Sequence, residues 1–255
     1  MLAQLHENYH FNLEDVMKIA GGSTTGKQHR HPIRPSNCQD YYTFGQDETG
    51  RYWGIVCDGC GSERHSEFGA TLLAELTHGY LRTLGDLEFR KDALEAYLSS
   101  AMINILVNVF GGDDKYVYSH FLSTMMLCVV DNVNTRIIAY GDGYYVLNDA
   151  QGISISANNR PNYFAYRLLK NPPTESKETL DLVLPNSRVE SLIIGSDGME
   201  DFERSFYAGA QPVGLDDLLA DNIFLNKDMV NRKLAMAAHC LRDDTTLVVF
   251  KGFHK

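Results

Sequence analysis

Trp53-Gly-Ile-Val-Cys-Asp58-Gly59 is an apolar run that leads directly into an aspartate–glycine pair. The same pattern recurs at Ile137-Ile-Ala-Tyr-Gly-Asp142-Gly143 and at Leu192-Ile-Ile-Gly-Ser-Asp197-Gly198. A fourth apolar run, Leu247-Val-Val-Phe250, begins just after Asp243-Asp244. Short runs of β-branched and aromatic residues bounded by Gly, Asp or Ser are typical of buried strands. The sequence therefore predicts four strands that carry carboxylates at their ends.

Aspartates at strand ends have two interpretations. Carboxylates gathered in one place repel one another, and each favours its protonated form unless a cation shares the site. Hard divalent cations such as Mg2+ and Mn2+ take oxygen ligands of this kind. Asp-Gly is also the commonest two-residue hairpin turn, and each pair taken singly is more often a turn than a ligand. The joint pattern is what predicts a metal site.

Composition limits the classes of protein to which the chain can belong. Its 255 residues allow one large domain or two small ones, and 44% hydrophobic content is ordinary for a globular protein. The formal net charge of −10 argues against a nucleic-acid binder, which needs a basic face. No run approaches the ~20 consecutive apolar residues of a membrane span, and the N-terminus lacks a signal-peptide pattern. We therefore expect a soluble, cytoplasmic protein that binds neither nucleic acid nor membrane.

The five cysteines are odd in number and irregular in spacing, which does not suit a disulfide framework. Cys57 and Cys60 form a Cys-x-x-Cys pair, a pattern found in redox and zinc sites. The sequence has no second Cys-x-x-Cys pair to complete a zinc tetrad. We therefore expect reduced thiols and neither a zinc nor a redox role.

The periodicity of apolar residues predicts strands and helices in alternation. Helical spacing predicts two amphipathic helices, at about 63–84 and 87–110. Residues 21–36 and 157–186 show no clear period and are predicted to be loops. This order suits antiparallel strands with helices outside, an α/β sandwich. The other predicted elements are a hairpin of Tyr41–Phe44 and Tyr52–Val56, a hairpin of Phe121–Val130 and Arg136–Tyr140, strands at Tyr144–Leu147, Ile153–Ile155, Leu192–Gly195 and Thr246–Phe250, and helices near Leu215–Leu219 and Met229–Leu241.

Six short motifs follow one another along the chain: Asn37-Cys-Gln-Asp40, Cys57-Asp58-Gly-Cys-Gly61-Ser62, Leu122-Ser-Thr124, Gly141-Asp142-Gly143, Gly195-Ser-Asp197-Gly-Met-Glu-Asp201 and Arg242-Asp243-Asp-Thr-Thr246. Their order and approximate spacing resemble those of the metal-dependent type 2C protein phosphatases, over roughly residues 20–251. A compact bacterial branch of that family is the most similar. The resemblance implies a single domain over 1–255 of class α/β (α+β): a four-layer αββα sandwich with two central antiparallel sheets flanked by helix pairs. Residues 1–20 would form an N-terminal extension or edge element.

The resemblance also implies a site with two cations, Mn2+ or Mg2+. Asp58 would bridge them, and the carbonyl of Gly59 would bind one. Asp197 and Asp243 would hold the other, and Asp40 would reach the cluster through a water. Two cations ~3.5–4 Å apart lower the pKa of a bridging water, position it for attack on phosphorus and neutralise the phosphoryl oxygens.

Further roles follow from the resemblance at positions where the sequence departs from the family. Asp142 would join Asp197 at a looser third cation, although Gly143-Tyr144 replaces the common Ser-Arg, and a plain hairpin turn is an equal alternative. Arg34 is the candidate for binding substrate phosphate, displaced by one residue from the family's arginine, and a surface arginine is the alternative. Gln39 replaces a common Glu, which predicts weaker binding at one metal site.

Other positions in or near the motifs have competing interpretations. Cys60 stands where some eukaryotic members carry a histidine, a candidate general acid. His65 is near in sequence, but a histidine at a helix start is more often solvated or capping. Ser123-Thr124 are more simply strand residues than catalytic ones. Motif position favours Asp243 as a metal ligand. Asp244 would then either contact the ligands without binding the metal or lie at the surface.

The function implied is hydrolysis of phosphoserine or phosphothreonine in phosphoproteins, with a serine/threonine kinase as counterpart. A pseudophosphatase that binds phosphoproteins as a regulatory module is the alternative, and it should lack core metal ligands. A small-molecule phosphatase or phosphodiesterase on the same site is a third hypothesis. The absence of a Cys-x5-Arg loop at Cys60 argues against a thiol-based phosphatase. Residues 157–186 are the predicted substrate-facing flap, because long unpatterned loops beside sites often act as lids.

Overall fold

The computed structural model describes residues 17–30, 37–63, 65–148, 151–155, 161–173 and 180–253. Within these ranges the chain forms ten strands and five α-helices. The strands are β1 Lys18–Thr24, β2 Tyr41–Gln46, β3 Tyr52–Cys57, β4 Met125–Val130, β5 Asn134–Tyr140, β6 Gly143–Leu147, β7 Ile153–Ile155, β8 Asp181–Pro185, β9 Ser191–Gly195 and β10 Thr245–Lys251. The helices are α1 Ser66–Arg82, α2 Lys91–Phe110, α3 Gly198–Tyr207, α4 Leu215–Leu219 and α5 Met229–Ala237.

The strands form two antiparallel sheets. The first has the order β1-β10-β9-β6-β7 and the second has the order β2-β3-β4-β5-β8. The central strands β4 and β9 are buried along their whole length. Both faces of each sheet are covered, so these strands are continuous apolar runs without polar alternation. The predicted pair of central antiparallel sheets is confirmed.

The two sheets pack face to face around an apolar core. Val56 and Cys128 from the second sheet meet Ile194 and Phe250 from the first in this layer. Gly54 of β3 permits the close approach, because a Cβ there would lie 2.6 Å from the Phe250 ring. Sheets that pack in this way hold their strand ends in register at a common edge of the sandwich.

Helices cover the outer face of each sheet. Leu73 of α1 and Leu98 of α2 pack with Trp53 on the outer side of the second sheet. Phe202 of α3 and Leu234 of α5 belong to the cluster on the outer side of the first sheet, together with residues of α4. The result is the predicted four-layer arrangement of helices, sheet, sheet and helices. Among the described residues, α2 alone has the length and apolar composition that a membrane-spanning helix would need.

Several predicted boundaries were wrong, each because tertiary packing overrides a local signal. The strand predicted from Phe121 begins at Met125, since Val117–Phe121 forms a π-helical turn with both of its end residues buried. Gly21–Thr24, predicted as loop, continue β1 along β10. A Cβ on Gly21 would lie 2.6 Å from the ring of Tyr42, so glycine permits this close approach.

Two elements were missed outright. Asp181–Pro185, inside the segment predicted to be irregular, forms the edge strand β8 against β5. Helix α3 was not predicted, although Met199 and Phe202 have helical spacing and are both buried. The predicted helix at Met229–Leu241 ends at Ala237. Of the N-terminal edge element predicted over 1–20, residues 1–16 lie outside the described ranges.

Candidate active site

Asp58 lies at the end of the central strand β3, where backbone hydrogen bonds fix the loop that follows. The Gly59 N–H donates to the Gln39 carbonyl at 3.2 Å, and the Cys60 N–H donates to the Leu122 carbonyl at 3.1 Å. The Asp58 carbonyl accepts from Thr124 at 2.9 Å. Gly59 is required here, because a Cβ would lie 2.7 Å from the Ser66 carbonyl oxygen. The loop is therefore held from both neighbouring strands of the second sheet.

Asp40 precedes β2 and sits beside Asp58. Only 8% of its surface is exposed, and Oδ2 accepts a hydrogen bond from Ser196 Oγ at 2.7 Å. Its other oxygen, Oδ1, is buried with no hydrogen-bond partner among the described residues. Burial raises the pKa of Asp40 to about 6 despite hydrogen bonds that involve Asp58 and Ser196. A buried carboxylate with an unused oxygen is one of the features that a cation would satisfy.

The pKa values of Asp58 and Asp197 are raised by burial and by neighbouring carboxylates in the same way. Burial, and then the charge of Asp40, raise the pKa of Asp58 well above its ordinary value. Burial, and then the charges of Asp142 and Asp243, raise the pKa of Asp197 to about 7. The four carboxylates at 40, 58, 197 and 243 come from both sheets, and their mutual repulsion shows that tertiary structure brings them together.

Asp243 and Asp244 have different surroundings. The Asp244 side chain is 2% exposed, and its oxygens accept the Gly26 N–H at 2.8 Å and the Gln39 N–H at 2.7 Å. The Asp243 side chain is 47% exposed and acts on the pKa of Asp58 and Asp197. Asp243 thus faces the carboxylate cluster, whereas Asp244 joins the N-terminal loop to the start of β10.

Asp142 lies at the β5–β6 junction and lines a cavity of about 190 Å³ together with Asp197 and Asp243. Burial, with the charge of Glu200, raises its pKa. The structure therefore brings Asp142 to the cluster, beside the position expected for a third cation. Tyr144 is one of the two residues that depart from the family pattern. Its hydroxyl donates a hydrogen bond to Glu203 Oε2 at 2.5 Å.

Two arginines and an aspartate form an ion-pair group at the rim of the same cavity. Arg242 donates from Nε and Nη2 to the two oxygens of Asp201, each at 2.9 Å, and Arg204 donates from Nη1 to Asp201 at 3.0 Å. These hydrogen bonds hold the N-terminal turn of α3 against the residue that precedes Asp243. The Arg34 proposed for phosphate binding lies outside the described residues.

The remaining predicted positions are less directly involved. His65 is half exposed and stacks with His120, with ring centroids 4.7 Å apart. Cys60 Sγ lies 3.3 Å from Ser62 Oγ at the mouth of the site, whereas Cys57 is fully buried. All five cysteines lie in described ranges and are free, as expected for reduced thiols. Ser123 is buried and its hydroxyl donates to the Thr124 carbonyl at 2.8 Å, which suits a structural role.

The predicted flap lies partly against the site. Tyr163 is nearly buried, and its hydroxyl lies within reach of Cys60, so burial and Cys60 both raise its pKa. The following turn, Phe164–Leu168, packs into the core beside Tyr140. Residues 156–160 and 174–179 lie outside the described ranges, and Asp181–Pro185 is a strand. Tyr163 and the turn Phe164–Leu168 are therefore packed into the protein, so this part of the segment is not an unpatterned loop.

Sequence reasoning missed two residues of the site. Ser196 holds Asp40 and also accepts the Thr246 N–H at 3.1 Å, and its place between Gly195 and Asp197 was a usable signal. His29 lies with Nδ1 2.9 Å from Asp244 Oδ2 and 3.8 Å from Asp243 Oδ1. No spacing in the sequence connects His29 with the aspartates, so only the fold reveals it.

The donor set fits hard divalent cations. It consists of carboxylates and the carbonyl of Gly59, the oxygen ligands that Mg2+ and Mn2+ take. The unused buried oxygen of Asp40 and the raised pKa values support the same fit. In the described ranges, no three His, Cys, Asp or Glu side chains already surround one point at ligand distance. The fit therefore rests on the chemistry of the donors and their mutual repulsion.

Comparisons with known proteins agree with this arrangement. The family model described as Protein phosphatase 2C matches residues 25–244. Among curated proteins, no match was found. A bacterial serine phosphatase variant matches with a TM-score of 0.60 and 14% identity, over 93% of this chain and 99% of that one. Phosphatase Stp1 from Staphylococcus aureus matches at 0.56 and 14%, over 92% and 94%. RsbX in complex with magnesium matches at 0.54 and 12%, over 98% of both chains.

Proposed function

This chain belongs to the protein phosphatase 2C family, and from that premise we propose that it hydrolyses phosphoserine or phosphothreonine in proteins with the help of two Mn2+ or Mg2+ ions. The observation that carries the proposal is the convergence of four aspartates from both sheets, with the pKa of three of them raised by burial and mutual repulsion. A protein stabilises such a cluster at neutral pH when cations share it.

The residues present have distinct parts in the mechanism. Asp58, on the loop fixed between two strands, would hold both cations, and the Gly59 carbonyl would bind one of them. Asp197 and Asp243 would complete the other position, and Asp40, oriented by a hydrogen bond to its carboxylate, would hold water next to the cluster. When bound, two cations activate a water for attack on phosphorus and neutralise charge on the phosphoryl oxygens.

The protein also shapes the surroundings of the reaction. The buried strand ends exclude bulk water from the inner side of the cluster, which strengthens electrostatic interactions there. The Arg242–Asp201–Arg204 group lines the cavity that it shares with Asp142, Asp197 and Asp243, and substrate would enter there. Asp142, which faces the same cavity as Asp197, is where a weaker third cation would bind.

The physiological setting belongs to the same proposal. We expect a phosphoprotein substrate and a serine/threonine kinase as counterpart, as the family membership implies. The five free cysteines support a reducing compartment such as the cytoplasm. One structural neighbour was solved in complex with magnesium, which supports the class of cofactor proposed.

The test is hydrolysis of a phosphothreonine peptide by the full chain with Mn2+, with EDTA, and with Asp58→Asn. Asp86→Asn, which changes an exposed aspartate far from the cluster, is the matched control. We expect metal-dependent turnover that Asp58→Asn abolishes and Asp86→Asn preserves. No turnover from folded protein that binds Mn2+ would favour the regulatory pseudophosphatase. Turnover only of small phosphate esters would favour a small-molecule phosphatase.

A further inference from the structure

His29 is fixed against the loop that carries Asp243. It ends the short turn Lys27–His29, whose backbone N–H groups at Lys27 and Gln28 donate to the carbonyls of residues 241 and 242, each at 3.0 Å. Gly26, just before the turn, lies so close that a Cβ would be 2.2 Å from the Asp243 carbonyl carbon. The position of His29 is therefore set by the fold and not by a free surface loop.

The imidazole of His29 lies against a buried carboxylate. Nδ1 lies 2.9 Å from Asp244 Oδ2, although the alignment falls short of a hydrogen bond within the described structure. A carboxylate only accepts hydrogen bonds, so a proton placed on Nδ1 would face Asp244 favourably and would leave the lone pair of Nε2 free. Asp244 cannot turn away, because both of its oxygens accept backbone N–H groups. Metal-binding histidines are usually held by a carboxylate at the other ring nitrogen in this way.

The free side of the ring faces the loop that follows Asp58. Nε2 of His29 lies 3.8 Å from the position a Cβ would take on Gly61, and Oε1 of Gln39 lies 3.5 Å from the same point. Gln39 Oε1 is buried without a hydrogen-bond partner in the part of the chain that the structure describes, as is Asp40 Oδ1. His29 Nε2 and Gln39 Oε1 thus border the loop at Gly61, and Asp40 Oδ1 belongs to the carboxylate cluster around Asp58. A cation satisfies acceptors that lack a donor.

We propose that His29 Nε2 is a ligand of the cation at the Gly59 carbonyl, with Gln39 Oε1 as a neutral oxygen donor beside it. The inference rests on the proposed two-metal site and adds to it a nitrogen ligand. Gln39 carries no charge, so Asp58 would be the charged donor at this position, and an imidazole would add affinity for borderline ions. The expected class is Mn2+, Co2+ or Fe2+ in preference to Mg2+, which favours oxygen ligands.

The experiment is pulsed EPR of the metal-free full chain loaded with Mn2+, which detects the 14N coupling of a bound imidazole. We expect this coupling in the wild type, its loss in His29→Gln and its retention in His65→Gln, a matched change at a half-exposed histidine. By titration, His29→Gln should weaken Mn2+ binding by about tenfold or more. Mg2+ binding should change by less than about threefold, because Mg2+ gains little from a nitrogen ligand.

Each outcome bears on a different proposal. Mn2+ bound by the wild type without 14N coupling, or with a coupling that survives in His29→Gln, would overturn the role of His29 and leave the two-metal site standing. Failure of the folded wild type to bind Mn2+ would overturn the proposed function itself. If His29→Gln does not fold, the wild type grown with 15N-histidine must lose the 14N coupling, and an unchanged spectrum would refute the assignment.

Discussion

Replacing Asp197 by asparagine should make the metal-free protein more stable at pH 8, although it removes a ligand from the site. Asp197 lies just before α3, and its side chain makes no capping hydrogen bond in the described structure. The substitution therefore removes a charge without removing a hydrogen bond. The repulsion from Asp142 and Asp243 that raises the pKa of Asp197 is relieved at the same time.

The magnitude follows from the pKa shift. The pKa of Asp197 rises from 3.8 to about 7, and each unit corresponds to about 1.4 kcal/mol of free energy of unfolding. The full shift sets an upper bound of about 4 kcal/mol. Because the side chain is partly exposed and coupled to its neighbours, we take about half, or about 2 kcal/mol. For a chain of this size that is a rise of about 4–8 °C in Tm.

The stabilisation expected from Asp197→Asn depends on pH. A carboxylate with a raised pKa binds its proton more tightly in the folded state, so stability falls as pH rises from about 4 to about 7. The advantage of Asp197→Asn should therefore be complete at pH 8 and less than about 1 kcal/mol at pH 5. Asp217→Asn should show the opposite sign, because the Gly214 N–H and Lys233 lower the pKa of Asp217.

The assay is thermal unfolding in EDTA at pH 5 and pH 8, followed by circular dichroism, with a parallel series in Mn2+. In Mn2+ the order should reverse, since a cation that binds only the folded wild type stabilises it by mass action. Two results would refute the account of the cluster as mutually repelling carboxylates. One is an Asp197→Asn variant that is less stable than the wild type in EDTA at pH 8, and the other is a change in Tm that is equal at pH 5 and pH 8.

Two further predictions concern the approach of the N-terminal loop and the protonation of the cluster. Gly26→Ala should lower the free energy of unfolding in urea by about 2 kcal/mol or more, because its Cβ would overlap the Asp243 backbone. Gly79→Ala, in α1 with no described atom within 4 Å of the added Cβ, should raise the free energy of unfolding by up to about 1 kcal/mol. If both substitutions changed the free energy of unfolding in the same direction, the close contact of Gly26 with Asp243 would be contradicted. Mn2+ affinity measured by calorimetry should rise at least about tenfold from pH 5.5 to 7.5, because Asp40 and Asp197 must lose protons to bind a cation. An affinity independent of pH over that range would mean that other residues hold the metal.

The sequence was most informative where an apolar run ends in an aspartate. β3, β9 and β10 were predicted almost to the residue, because strands covered on both faces carry a continuous apolar signal that depends on no distant contact. Asp58, Asp197 and Asp243 were identified at the same time, since each is attached to the end of such a strand. The long helices α1 and α2 were also predicted, because apolar residues repeat at helical spacing in both segments.

The predictions failed where local pattern and tertiary environment disagree. Phe121, predicted as the first residue of a strand, instead ends the helical turn Val117–Phe121, and its ring contacts Phe68 of α1. Gly21–Thr24 has the composition of a loop, yet β10 supplies the partner that makes it a strand. In both cases a distant segment supplies the deciding contacts, and a window of neighbouring residues cannot contain them.

The sequence by itself determined the fold class, the family and the set of carboxylates, because these depend on apolar periodicity and on short motifs in a fixed order. Only the tertiary structure decided which groups share the site. It placed Asp58 on one sheet and Asp197 and Asp243 on the other, buried Asp244 beneath His29, and left buried acceptors of Gln39 and Asp40 without hydrogen-bond partners among the described residues. The physical reason is that strand order and sheet packing arise from contacts between residues far apart in the chain. The electrostatics of the site are therefore a property of the assembled sandwich.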